Sequence, residues 1–451
     1  MKKLLCLLLI SSAGFSQSPA DAPVFTPEAL KQDLNFLFEK LEAIHPSLYH
    51  YTSKAEIDEL RAATEKMFNR PMTRLEFAQK VIPIVSQLSD AHTSLGFLQK
   101  EYSTFLKNGG KVFPLDVLIR ENRIFTTAAH ATDSIVPSTE ILSINGVRST
   151  EVLKTLRSYI SAELDFYRDI RVQRAFRRML WFVYGWDNDF DLQLSTNGEV
   201  INRKIQGITE VALSESYRKT GSTIVSPFSY YPLENKIGVI DFQSMKNLKK
   251  FSSFLDSTFA VIGQNNIQYL VIDIRNNGGG DSKLGEALFD YIADKPYKQF
   301  ERAEIKNSVE AGRVKNKNSK KNGTISVIQN TNFITPKKTK NKFTGTTYLL
   351  TSHVTFSSAH ALAVAFKCYE MGTILGEETG GILEPFGDLI EFKLPNTQLQ
   401  GWCSHKKFVH PCSDGLLHGV KPDVEIIPSA QDMATGNDPA LEYIKKIASG
   451  N

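Results

Sequence analysis

The chain has 451 residues, 41% hydrophobic and 23% charged, with 28 Gly and 18 Pro, which excludes a disordered tail, a collagen-like rod and a disulfide-dense miniprotein. At about 150 residues per domain the length suggests roughly three domains, with room for cores that need no staples. A formal net charge of only +4 gives no reason to expect nucleic acid or an anionic membrane as partner.

Residues 1–16 carry Lys2 and Lys3, an apolar run from Leu4 to Ile10, and then Ser11, Ser12, Ala13 and Gly14 ahead of Phe15 and Ser16. This is the three-part pattern of an export signal, and the run is far shorter than the about 20 apolar residues of a spanning helix. Cleavage after Ser16 is expected to leave a periplasmic or secreted chain with no integral membrane segment. Cys6 lies too early in the run to be a lipid-anchored cysteine. Of the cysteines that remain, Cys403 and Cys412 are near neighbours, and a disulfide between them, or free thiols, is expected in preference to metal binding. Cys403, His405, His410 and Cys412 together offer four zinc-ligand types, but their spacing matches no standard finger or ribbon. No metal and no cofactor are therefore expected. Cys368 falls in an apolar helix pattern and is expected in the core.

From Pro27 to about Lys100 the apolar residues recur at helical spacing: Leu30, Leu34, Leu37, Phe38 and Leu41, then Ile57, Leu60 and Met67, then Leu75 to Leu88. A helical N-terminal domain is expected over 17–105. Strand-like runs follow at Val112 to Ile119 and Ile124 to Ala128, then Glu140 to Gly146, where Asn145-Gly146 marks a tight turn. With the helical pattern from Thr150 to Tyr159, residues 106–160 resemble part of a PDZ domain; an unrelated β-rich linker is the alternative. Residues 161–230 read as a polar connecting segment with little pattern. Over 231–430, buried-strand runs at Ile237 to Ile240, Leu270 to Ile274 and Thr347 to Leu350 alternate with helical patterns at Phe251 to Ile262, Leu284 to Ile292 and Ala359 to Met371. That alternation predicts an α/β sheet covered on both faces. A Lys- and Arg-rich stretch over 303–342 interrupts it and reads as a solvated insertion hairpin, and 431–451 closes the chain with a helix.

Two segments of the α/β region carry chemistry. Asp273-Ile-Arg-Asn-Asn-Gly-Gly-Gly-Asp281 follows a buried strand, and its glycines let the backbone approach a ligand and present N–H groups to it. It lacks the Gly-Lys-Ser/Thr ending and the G-x-G-x-x-G register of nucleotide loops, so an oxyanion hole is the alternative use. Thr355-Phe-Ser-Ser-Ala-His360 follows another strand and opens a helix, bringing a serine hydroxyl and free helix-start N–H groups together. On spacing alone, Ser357 or Ser358 could equally be an N-cap.

Both segments, in this order, resemble the tail-specific (carboxy-terminal processing) serine peptidases of the ClpP/crotonase-like fold. The first is similar to their Asp-x-Arg-x-Asn-x-Gly-Gly, the second to their Ser-x-x-Glu, with Gly376-Glu-Glu-Thr-Gly-Gly381 nineteen residues beyond Ser357. That register selects Ser357 over Ser358, and His360 stands where the family usually has Glu. The base of the processing peptidases is a lysine whose place falls here at Ile382, and no lysine lies between Lys367 and Lys393. Leu88-Ser-Asp-Ala-His92-Thr-Ser-Leu instead resembles the Asp-x-His-Thr of the branch that includes the tricorn core and the interphotoreceptor retinoid-binding repeats. Gly419-Val-Lys-Pro-Asp423 and Asp438-Pro-Ala-Leu-Glu442 extend the likeness.

The resemblance implies an exported serine endopeptidase acting on protein or peptide substrates, with Ser357 as nucleophile and His92 as base. Asp414 is the first choice for the acid orienting His92, with Asp90 and Glu377 as rivals. The oxyanion would meet the amides of Ser358 and of Gly279 or Gly280. Because the retinoid-binding repeats share the fold, a ligand- or peptide-binding module without hydrolysis is the alternative. A crotonase-type acyl-CoA enzyme does not account for an export signal.

Overall fold

A computed structural model describes residues 23–130, 135–196, 198–219 and 226–450. The expected export signal at 1–16 lies outside the described residues. Among them, no helix is long and apolar enough to cross a membrane. The architecture is mixed α/β, with three larger sheets.

One sheet has the strand order Phe228–Leu233, Ile237–Phe242, Tyr269–Asp273, Thr346–Thr351, Thr373–Gly376, Val424–Glu425. Only its first pair is antiparallel. The period-2 alternation of the strands sends Ile240, Phe242, Leu270, Ile272 and Leu349 to one face, where the helices Leu248–Gln264, Lys283–Ile292 and Ser358–Cys368 cover them. Val239, Val271, Tyr348, Leu350 and Leu375 point the other way, onto Ala440 and Ile444 of the final helix Pro439–Ser449. A sheet buried on both faces explains why these strands read as continuous apolar runs.

A second sheet pairs Ile325–Gln329, Arg302–Lys306, Gln400–Val409 and Phe386–Lys393 in that order. The basic stretch thus contributes a two-stranded arm that ends at the exposed Ile325–Gln329 edge. A short strand, Ser94–Leu95, also pairs with Gln400–Val409, Leu95 facing Gly401 and Ser94 facing Trp402.

The third sheet runs Glu199–Gln206, Asp189–Thr196, Glu140–Ile144, Arg123–Ala129, Leu115–Arg120. Asn145 and Gly146, at φ 49° and 77°, supply the two left-handed positions of a tight turn into Val147–Arg148. Ahead of this sheet lie the helices Pro27–Ile44, Lys54–Glu65 and Arg74–Ser86; Ser53 and Thr73 close capping boxes with Glu56 and Glu76. One contiguous core joins these helices, through Leu34, Phe38 and Phe77, to Ile141, Leu153, Phe176 and Phe190, and to Leu394, Leu399 and Cys403. Residues 161–230, which carry little pattern in sequence, hold the helix Asp165–Met179, the hairpin Asp189–Thr196/Glu199–Gln206 and the helix Glu210–Lys219.

The cysteine pairing differs from expectation. Cys412 is bonded to Cys368, with Cα atoms 5.9 Å apart, and Cys403 is a buried free thiol. Cys403 sits inside the extended strand Gln400–Val409, and from there to the strand's end the chain advances about 20 Å, away from a partner at Cys412. A bridge needs Cα atoms within about 7 Å, which the end of the Ser358–Cys368 helix provides. His405 Nδ1 contacts the Asp388 carbonyl and His410 Nδ1 the Gln299 carbonyl, at 2.7 Å for the latter.

Candidate active site

Ser357 is placed by a sharp strand-to-helix turn. The strand Thr346–Thr351 leads into it and the helix Ser358–Cys368 begins at the next residue. Ser357 has φ 54° and ψ −127°, a conformation that costs a non-glycine residue about 1–3 kcal/mol and persists only where the surroundings impose it. They do so here: Thr355, fully buried, donates from Oγ1 to the Ile274 carbonyl (2.9 Å), and the Phe356 N–H donates to the Asn277 carbonyl (3.2 Å). Although Ser357 stands at the N-cap position, its side chain makes no cap hydrogen bond. Its Oγ lies 3.2 Å from His92 Nε2, a residue 265 positions away. Ser358 Oγ turns elsewhere and donates to the Gly280 carbonyl (2.6 Å).

His92 is carried by the turn between the Arg74–Ser86 helix and the Ser94–Leu95 strand. The strand's pairing with Gln400–Val409 pins one side of the turn, and Asp90 pins the other. The buried Asp90 carboxylate accepts from the His92 backbone N–H (2.9 Å), Thr93 Oγ1 (2.5 Å) and Ser404 Oγ (2.7 Å), and contacts His45 Nε2 at 3.2 Å. Burial opposes its ionisation, but His45, His92 and Thr93 outweigh that and hold the carboxyl below its ordinary value. The His92 ring stacks on Phe356 (4.6 Å between centroids), which stacks in turn on Tyr167 (4.4 Å). Burial pushes the imidazole below the usual histidine value; nearby Asp90 works in the opposite direction and Arg171 adds to the lowering. His92 is therefore neutral at pH 7 and able to accept a proton.

The acids considered for orienting His92 do not contact its ring. Asp414 is on the surface, where its carboxylate holds His418 Nε2 (2.8 Å) and caps the Leu416 N–H (2.9 Å). Glu377 accepts from Arg120 (2.5 Å) and lies 3.9 Å from His353, and Asp90 bonds the His92 backbone. Nδ1 of His92 is buried without a direct hydrogen bond among the described residues, while the Phe386 carbonyl lies close enough to favour the protonated ring.

The glycine loop abuts the serine. Gly279 and Gly280 have φ 97° and 142°; a Cβ on Gly279 would fall 2.8 Å from Ser357 Cβ, and one on Gly280 would fall 2.2 Å from the Met245 carbonyl oxygen. The Gly279 N–H is committed to Asn277 Oδ1 (2.9 Å). Among the described residues the amides of Gly280 and Ser358 make no hydrogen bond. Arg275 of the same loop is structural: it joins Asp273 to Asp438, the N-cap of the final helix. His360 is buried behind the serine with Nδ1 2.7 Å from Thr379 Oγ1, and burial with the neighbouring His410 keeps it well below the ordinary histidine value. Ile382 is buried among Ala91, Tyr167 and Phe356, so an apolar side chain occupies the place expected of a lysine base. His45, Ser404 and Tyr167 carry no local sequence signal, because they meet Asp90 and Phe356 only through the fold.

Residues 236–426 match the family model for Peptidase family S41. Among solved structures, mature CPAF complexed with lactacystin is similar at 15% identity over 94% of this chain and 98% of that one, with a TM-score of 0.68. A putative peptidase from Parabacteroides merdae is similar at 13% identity over 94% and 97%, with a TM-score of 0.50. No curated protein sequence matches the chain. The class is therefore that of a serine-type peptidase. The matched span, which holds the glycine loop and Ser357, makes the α/β core similar to peptidase family S41, the tail-specific proteases.

Proposed function

We propose that this chain is an exported endopeptidase that cleaves protein or peptide substrates through an acyl-enzyme, with Ser357 as nucleophile and His92 as base. The observation that carries the reading is the 3.2 Å approach of His92 Nε2 to Ser357 Oγ, made by a hydroxyl that has no capping role. His92, neutral, takes the proton of Ser357 as Oγ attacks the substrate carbonyl, then returns it to the leaving amine. Water attacks the acyl-enzyme with His92 again as base. The free amides of Gly280 and Ser358 receive the developing oxyanion, each worth about 3–4 kcal/mol in such a site. Gly279 serves by its lack of a side chain beside Ser357. The ring is steadied by Phe356 and by the Asp90-anchored backbone rather than by Asp414, an arrangement in keeping with the histidine-base branch of the family.

In this reading residues 231–430 form a ClpP/crotonase-like core, 17–105 a helical domain supplying the base, and 106–160 a PDZ-like element that delivers an extended segment by strand addition. A fluorophosphonate reagent tests the assignment. Labelling should occur in the unaltered chain and in Ser358→Ala, and vanish in Ser357→Ala. Label retained by Ser357→Ala removes the nucleophile; a chain that binds peptides without hydrolysing them is a binding module on the same fold.

A further inference from the structure

A cavity of about 480 Å³ lies between the Arg74–Ser86 helix, the Ser94–Leu95 strand and the Asp165–Met179 helix. Two of its wall residues touch the backbone of the turn that carries His92. Ser161, on the wall, donates from Oγ to the Asp90 carbonyl (2.7 Å), and Arg171 reaches the Ala91 carbonyl (3.5 Å), next to His92. Among the described residues five cationic side chains line it, Arg74, Lys100, Arg171, Arg178 and Lys393, and no carboxylate does. Arg74 is satisfied by a two-pronged pair with Glu101 (2.6 and 2.7 Å). The other four make no ion pair among the described residues.

Arg178 is the most exacting of them. Its Nη1 donates to Gln99 Oε1 (3.0 Å) and its guanidinium sits over the Phe97 ring (5.5 Å), but its buried Nε has no partner among the described residues. A buried guanidinium donor left unpaired is costly unless something arrives to accept from it. Arg171 lies seven residues earlier in the same helix, and so on the same face. Its acidic neighbour Glu163 is pushed toward the neutral form by burial and by Asp90, which leaves the Arg171 charge uncancelled. Aromatic and aliphatic walls from Phe97, Tyr159, Leu95 and Trp402 suit an anion on an organic stem rather than a free inorganic ion.

We propose that this cavity is a substrate subsite that takes a carboxylate-bearing residue of the peptide, with Arg178 and Arg171 as its recognition groups. The inference deepens the peptidase reading and rests on it for the identity of the ligand as substrate. The carboxylate could be an Asp or Glu side chain or a free chain end, since a guanidinium fork recognises both alike.

Ser357→Ala protein binds without turnover and allows a direct test by fluorescence anisotropy with three peptides of one backbone. One carries an internal Glu and an amidated end, one a free C-terminus and no acidic residue, and one is neutral and amidated. At least one carboxylate peptide should bind about tenfold or more tightly than the neutral one, and whichever does identifies the source. The advantage should disappear in Arg178→Met, return in part in Arg178→Lys, and shrink as NaCl rises from about 0.05 to about 0.5 M. The salt series needs no arginine variant and so holds even if Arg178→Met fails to fold. Equal affinity for all three peptides, or an advantage indifferent to both Arg178→Met and salt, overturns the proposal. Fluorophosphonate labelling of the chain with Ser357 intact reports separately: absent labelling with a carboxylate preference retained removes the peptidase reading and leaves the anion site standing.

Discussion

His92 lies buried between Phe356 and the Asp90 turn, and burial sets its proton affinity below that of a free histidine, whose pKa is 6.5. With His92 as the proposed base, which must be neutral to act, the rate is expected to rise as pH climbs through the pKa of His92 and to be complete above it. The acid limb of kcat/KM should therefore have its midpoint below 6.5. A midpoint at or above 6.5 would contradict the buried, neutral base. His92→Ala should lower kcat by on the order of 10³-fold or more. At Asp90, four groups converge on one carboxylate, and an amide in its place must turn a donor toward at least one of their hydrogens. Asp90→Asn should cost about 3 kcal/mol in urea denaturation, whereas Asp414→Asn, on the surface, should leave the midpoint where it is. Ser357 and His92 were legible because both sit in short motifs. The roles of the acids were not, since Asp414, Asp90 and Glu377 are equally acidic in sequence and only their hydrogen bonds show that Asp90 holds the His92 backbone and that none of the three meets its ring.

At the scale of elements, the α/β strands and their helices could be read closely: Leu270 to Ile274 appears as Tyr269–Asp273, and Leu284 to Ile292 as Lys283–Ile292. Strands buried on both faces advertise themselves as apolar runs. The helix Asp165–Met179 did not, because five arginines interrupt a stripe of only Tyr167, Val172, Phe176 and Met179. Arg171 and Arg178 serve the cavity and Arg177 the Asp116 ion pair rather than a plain amphipathic face. The cysteines failed for a related reason: nearness in sequence along an extended strand is distance in space. With Cys368 and Cys412 bonded and Cys403 fully buried, a chain lacking residues 1–16 should show no thiol to a thiol-titrating reagent when native. One thiol should appear on denaturation without reductant. Reduction should lower stability by about 2–4 kcal/mol; a native, reactive pair of thiols would contradict the 368–412 bridge.

Over the whole molecule, the proposed base and nucleophile, His92 and Ser357, come from chain segments that meet through the short strand Ser94–Leu95 laid on Gln400–Val409. The N-terminal helices also share one core with the Leu115–Gln206 region and with Leu394, Leu399 and Cys403. A break in that core separates His92 from Ser357. Fluorophosphonate labelling and the near-ultraviolet signal of the buried aromatics should therefore be lost over the same range of urea. Labelling that outlives the aromatic signal would mean that Ser357 does not depend on His92.

The α/β class, the Ser357 turn, the glycine loop beside it and the histidine candidate could be read along the chain, because each is written in a short stretch where local spacing fixes local geometry. The tertiary structure decided what depends on distant residues lying side by side. It separated Asp414 from His92, committed the Gly279 amide while leaving Gly280 and Ser358 open, paired Cys412 with Cys368, and gathered arginines without carboxylates into one cavity. Packing and hydrogen-bond partners across hundreds of positions set those outcomes, and no short spacing along the chain encodes them.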